Sequence, residues 1–148
     1  MPVHALKLGH AVIKVRSLER SVPFYRDVLG LKEVARYHNA MVFFTCGENH
    51  HDLGLMEVGP SAPGVHEFGV GLYHLAFKVG DSLEELRAFR DHLAAKGVPL
   101  AGQSDHRVSQ SLYLHDPDGM LIECYVDADP SLWNDDPTAV AHVGPLKL

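Results

Sequence analysis

Residues 9–15 read GHAVIKV and residues 73–79 read YHLAFKV. Laid over one another at an offset of 64 residues, they put His10 on His74, Lys14 on Lys78 and Val15 on Val79. The match continues without a gap, with Arg26 on Arg90, Asp27 on Asp91, Leu29 on Leu93, Lys32 on Lys96 and Val34 on Val98. At an offset of 66 residues, Asp52 falls on Asp118 and Glu57 on Glu123. A gapless series that includes both histidines marks an internal repeat. We therefore divide the chain into module one (7–58), a linker rich in Gly and Pro (59–71), module two (72–127) and a tail (128–148), all within one domain.

Each module opens with an alternating strand. Ala11, Ile13 and Val15 share one face, with His10, Val12 and Lys14 on the other; Leu75, Phe77 and Val79 repeat the pattern opposite His74, Ala76 and Lys78. A helix follows at once. Leu18, Val22, Tyr25 and Leu29 form one stripe that Gly30 ends, and Pro23 fits if the helix starts only a few residues before it. In module two, Ser82 and Glu85 make a capping box, Leu86, Phe89 and Leu93 the stripe, and Gly97 the stop. Three short strands are predicted after each helix, at 32–37, 40–46 and 52–58 and again at 99–101, 111–115 and 120–126. Asp116-Pro117-Asp118-Gly119 is a turn signal that joins the last two. The tail reads as irregular, with Trp133 as a candidate anchor. The expected fold is α+β: two βαβββ modules forming a curved mixed sheet around a metal-containing cleft, with the helices outside.

Composition narrows the function. The formal charge of −6 argues against a nucleic-acid partner, because phosphate binding needs clustered Lys and Arg. The longest apolar run, VGLYHLAF, is broken by histidine and falls far short of the roughly 18 residues of a membrane span. The opening MPVHALKLGH lacks a basic stretch followed by an apolar one, and the two cysteines, Cys46 and Cys124, form no disulfide framework; both features lead us to expect a cytoplasmic protein. Eleven histidines in 148 residues point towards metal chemistry. His10 and His74 stand at repeat-related strand starts, and Glu123 shares a strand face with Leu121 and Tyr125. Two neutral imidazoles and one carboxylate are the donor set that leaves open positions on non-haem Fe(II).

The stretch LGHAVIKVRSLERSVPFYRDVLGL (8–31), together with NHHDLGL (49–55), GLYHLAF (71–77) and SDHRVSQSLYLHDPDGMLIECYVD (104–127), resembles the vicinal oxygen chelate superfamily. That superfamily includes glyoxalase I, bleomycin-resistance proteins and type I extradiol dioxygenases. The last three stretches are closest in kind to catechol 2,3-dioxygenase-like proteins. The resemblance implies an extradiol dioxygenase acting on a small aromatic substrate with O2, using Fe(II) (or Mn(II), Ni(II) or Zn(II)) and forming a homodimer. It implies His51 as acid–base catalyst, His106 as a hydrogen-bond partner of substrate or oxygen, and Tyr113, ten residues before Glu123, as a further active-site group. His51 shares strand parity with Glu57, which would turn both to the cleft. Structural alternatives stand beside each role: His51 in a solvated hairpin, His106 in a loop, Tyr113 in the core. Glu57, the repeat partner of Glu123, is a candidate fourth ligand. With it, the site would be a two-His, two-Glu set of the glyoxalase I type, suited to Ni(II) or Zn(II) and to isomerase or lyase chemistry. A third reading is a metal-free binding protein of the drug-resistance type.

Overall fold

The computed structural model describes residues 3–148. Contacts divide the chain into two compact units, one up to Gly64 and one from Val65 onward. The division falls inside the 59–71 stretch.

The first unit runs β1 (Ala11–Val15), α1 (Leu18–Pro23), β2 (Lys32–Tyr37), β3 (Met41–Thr45) and β4 (Leu53–Glu57). Its sheet has the order β1-β4-β3-β2, with β1 parallel to β4 and the remaining pairs antiparallel. Ile13, Val15, Val42, Phe44 and Leu55 bury one face together with Leu18, Val22 and Tyr25 of the helical stretch. The proline shapes this stretch more than its spacing suggested. The helix begins at Leu18, so Pro23 stands beyond the first turn, where its missing N–H removes a helical bond. The chain responds by widening into a π-turn over Phe24–Val28, closed by the Leu29 N–H on the Phe24 carbonyl at 3.1 Å. Gly30 then takes φ of 77°, which a side chain would resist.

The second unit repeats the plan with β5 (His74–Gly80), α2 (Leu83–Ala95), β6 (Gly102–Asp105), β7 (Ser109–His115) and β8 (Leu121–Asp127), in the order β5-β8-β7-β6. Ser82 Oγ accepts from the Glu85 N–H at 3.2 Å, and Glu85 Oε2 accepts from the Asp81 N–H at 2.7 Å, so the capping box holds. Leu86 and Leu93 of α2 are buried, as are Leu112, Leu114, Ile122, Cys124 and Val126 of the sheet. The opposite face of the sheet carries no helix from this set of elements. It presents His74, Glu123, Tyr113 and Tyr125.

Two expectations need correction. The first strand after α2 is not 99–101 but Gly102–Asp105. Its residues are polar because it is an edge strand, held by β7 on one side and by a two-bond bridge between Asp105 and Gly144 on the other. The tail is not irregular either: it forms a short helix, α3 (Ser131–Asp135), and a 3-10 turn over Pro137–Ala141. Among the described residues, no helix is long and apolar enough to cross a membrane.

The repeat equivalence of Glu57 also fails on register. β1 pairs with β4 so that Val15 faces Glu57 and Val12 faces Gly54, whereas β5 pairs with β8 so that Ala76 faces Glu123. Counting from the two histidines, Ala76 corresponds to Val12, and the position corresponding to Glu123 is therefore Gly54. Glu57 shares the helix-side face of Val15, and its Oε2 accepts from the Leu18 N–H at 2.7 Å. It caps α1, a task the Ser17 side chain does not perform. Replacing Glu57 by Ala should lower the unfolding free energy by about 1 kcal/mol in urea titration and leave divalent-metal affinity within twofold. A tenfold loss of metal affinity would return Glu57 to the ligand set.

Candidate metal and substrate site

Glu123 is the centre of the open face of the second unit. It is 8% exposed, a costly place for a carboxylate unless its oxygens are engaged. Ser111 Oγ, from a side chain with no exposure, donates to Glu123 Oε1 at 2.5 Å. Glu123 Oε2 lies 2.9 Å from His74 Nε2. Both neighbours follow from strand parity. Ser111 and Tyr113 stand two apart on β7, Tyr113 faces Glu123, and His74 stands two residues before the β5 partner of Glu123. His74 Nδ1 is buried with no hydrogen-bond partner among the described residues.

These atoms meet what a divalent cation asks of its ligands. Two donors each about 2.1 Å from one ion, at about a right angle, lie about 3 Å apart, close to the separation of His74 Nε2 and Glu123 Oε2. Because Ser111 holds the other oxygen, Glu123 offers one oxygen rather than two.

A second pair shares the same pocket. His106 follows β6 on the face of Ser104, and its Nε2 lies 2.7 Å from the Tyr113 hydroxyl. Its Nδ1 lies 3.0 Å from the His142 carbonyl. A carbonyl can only accept, so Nδ1 carries the proton, Nε2 accepts, and Tyr113 donates. Burial and the neighbouring Glu123 charge push the Tyr113 hydroxyl up to about 12, so it stays a phenol at neutral pH. Arg107, where the sequence places a bulky cation, takes φ of 65° in the turn that carries His106, and its N–H is held by Asp105 Oδ1 at 2.8 Å. The cavity lined by His74, His106, Tyr113, Glu123 and Tyr125 has a volume of about 390 Å³.

In the first unit, His10 lies just before β1, and its ring centroid is 4.2 Å from that of His51. His51 precedes β4 instead of lying in it, so the parity with Glu57 does not extend to it. Phe43, whose β4 partner is Gly54, packs edge-on against His51 at 5.5 Å, which sets His51 on the Gly54 side of the sheet. His51 Nδ1 also lies 2.6 Å from His50 Nδ1. Partial burial, then the neighbouring His10 and His50, lower the pKa of His51 and favour the neutral imidazole. The adjacent Asp52 pins the segment: its carboxylate accepts from the Cys46 N–H and the Asn49 amide, both at 2.6 Å. Among the described residues, no group of three or more His, Cys, Asp or Glu side chains is arranged to hold a metal. The structure brings together His74 with Glu123, His106 with Tyr113, and His10 with His51. Two participants were missed in the sequence. Ser111 carried the signal of sharing a face with Tyr113 and Glu123, whereas the His142 carbonyl, a backbone group, carried none.

The sequence profile of the Glyoxalase/Bleomycin resistance protein/Dioxygenase superfamily matches residues 7–124. The chain belongs to this superfamily. It is 38% identical over 130 residues to the catechol-2,3-dioxygenase of Bacillus subtilis (strain 168), covering 87% of this chain and 44% of that protein. It is 37% identical over 128 residues to biphenyl-2,3-diol 1,2-dioxygenase 3 of Rhodococcus globerulus, covering 82% of this chain and 63% of that protein. The chain thus spans less than two thirds of either relative. Among solved structures, the lactoylglutathione lyase of Agrobacterium tumefaciens superposes with a TM-score of 0.66 at 25% identity, over 88% of this chain and 98% of that one. The superfamily is therefore mixed in activity around a shared fold.

Ser111→Ala should weaken binding of Mn(II), a redox-quiet probe, by about tenfold in calorimetric titration, because Glu123 loses the bond that orients it; Ser111→Thr should restore it. Equal affinity in all three proteins would mean that the hydroxyl does not orient the carboxylate. The Asp52 carboxyl is held below its usual pKa by the Asn49 amide and the Cys46 N–H. Its stabilisation is therefore full above about pH 4 and fades as pH falls through the folded value. Thermal unfolding between pH 7 and pH 3 should show a smaller acid-side loss in Asp52→Asn than in the wild type, and parallel curves would contradict this.

Proposed function

We propose that the chain is a metal-dependent extradiol-type dioxygenase, opening the ring of a catechol-like diol with O2, with His10, His74 and Glu123 as ligands of an iron(II) ion and His51, His106 and Tyr113 as catalytic groups. One observation carries the reading: a histidine and a carboxylate converge to 2.9 Å on the wall of a pocket that also holds the His106–Tyr113 pair. Identity of 38% to a catechol-2,3-dioxygenase over 87% of the chain supports it. Register supports it too, since the repeat equivalent of Glu123 is Gly54 and Glu57 is engaged with α1. The lyase alternative needs a second carboxylate in the donor set, and the bond of Glu57 to the Leu18 N–H counts against that role.

A bound divalent cation would supply Lewis acidity towards the two hydroxyls of a diol and a path for electrons from the ring to O2. The side chains do the rest. Tyr113 gives its proton to His106 Nε2 in a hydrogen bond and keeps its oxygen lone pairs for a substrate hydroxyl, so the pair orients the diol and does not deprotonate it. His106 cannot rotate without breaking its bond to the His142 carbonyl. His51, held neutral, is the group able to take a proton from a diol hydroxyl and return it after ring opening.

The test is anaerobic loading with Fe(II), followed by catechols and air, with oxygen uptake and the yellow ring-cleavage product as readouts. Turnover is expected in the wild type, falling by about 10²- to 10⁴-fold in His51→Phe, the usual contribution of a general base. No uptake across a catechol panel, combined with tight Ni(II) or Zn(II) binding that Glu57→Ala weakens, would replace the proposal with the lyase reading.

A further inference from the structure

Beyond the donor pocket lies a second cavity of about 480 Å³. The two share Val108, Ser109, Tyr125 and Val140, so they adjoin along a common wall. The far chamber is open to solvent on one side and is bordered by the tail, through Trp133 and Pro137. Its lining is largely apolar, and no Lys, Arg or His lines it. The one charged residue there is Asp127, whose carboxylate is 3.0 Å from Lys78 Nζ.

We infer that this chamber seats an uncharged, apolar substituent of aryl type on the diol, and that Trp133 and Val140 are the residues that select for it. The choice of a diol rests on the dioxygenase reading above; the apolar seat rests on the chamber itself. Charge decides between substituents. A carboxylate placed there would find no cation in the lining, because the nearby Lys78 is already paired with Asp127 and Asp81, so an acidic side arm is disfavoured. A flat ring finds Trp133 and Tyr125 as stacking partners and Val108, Pro137 and Val140 as apolar walls.

The wall is built rather than draped. Asp105 and Gly144 exchange both backbone bonds, at 2.9 and 2.8 Å, and Gln103 Nε2 donates to the Leu146 carbonyl at 2.6 Å. Asp136 Oδ1 caps the 3-10 turn through the Thr138 N–H at 3.1 Å. Ala139 in that turn is buried, while its neighbour Val140, 65% exposed, borders both chambers. The same tail supplies the His142 carbonyl that sets the His106 tautomer. One segment therefore shapes the distal seat and aligns a group at the reacting end.

Trp133 is the only tryptophan in the chain, so its emission reports on the chamber without any turnover. The full chain, metal-free and metal-loaded, is titrated with 4-phenylphenol and with biphenyl-4-carboxylate. Neither is a diol, so neither is consumed. A saturable change in Trp133 emission is expected with 4-phenylphenol, with the carboxylate binding at least tenfold more weakly. Val140→Arg, at an exposed rim position, should weaken 4-phenylphenol about tenfold and strengthen the carboxylate. A non-saturable response, equal binding of the two probes, or indifference to Val140→Arg would overturn the seat. Saturable, selective binding in a protein that cleaves no diol would uphold the seat and sink the dioxygenase reading. Cleavage of unsubstituted catechol with no Trp133 response would do the reverse.

Discussion

A carboxylate with little water of its own governs the second unit. Glu123 sits on a central strand at 8% exposure, and a charge so placed is tolerable only if its oxygens are satisfied by neighbours held in register. Ser111 on one flanking strand and His74 on the other take one oxygen each. A slip of one residue in either strand would turn the partner to the α2 side and leave the charge unpaired. The same slip would expose Leu112 and Leu114, or Leu75 and Phe77, to water. Core and site therefore enforce one register from opposite faces of the sheet.

The first unit follows the same plan without a buried charge at the matching place. There the acidic residue near the strand end faces the helix and accepts from the Leu18 N–H at the start of α1, while the open face carries Gly54, Phe43 and the His10–His51 contact. His51 is crowded by the rings of His10 and His50, at 4.2 and 4.5 Å, and its partial burial and these neighbours lower its pKa. The two copies differ on their open faces: one carries a buried carboxylate beside a histidine, the other a cluster of histidines.

Much of this was legible in the sequence. The offset that superposes His10 on His74 located both first strands and both helices, since hydrophobic periodicity and a capping box are local signals. Glu123 was placed on its proper face by parity with Leu121 and Tyr125. Glu57 misled because matching letters at an offset of 66 residues say nothing of hydrogen-bond register, and the stretch from β5 through α2 to β6 is longer than that from β1 through α1 to β2, which moves the true equivalent of Glu123 to Gly54. The parity drawn from Glu57 to His51 failed for the same reason: it crossed the end of the strand. The edge strand at Gly102–Asp105 and the docked tail were hidden for another. Both are held chiefly by backbone bonds such as those between Asp105 and Gly144, which any sequence can make and no pattern announces.

The divergence of the repeat at Gly54 is guarded by packing. A Cβ built there would stand 3.1 Å from Val12 Cγ2, closer than ordinary van der Waals contact, with Phe43 at 3.5 Å on the other side. Val12 is the parallel partner of Gly54, so a side chain there would require the Val12 methyl to give way by a few tenths of an ångström. Glycine at this position leaves room on the open face of the first sheet for Val12 and Phe43 on the two flanking strands, where the second unit instead carries Glu123.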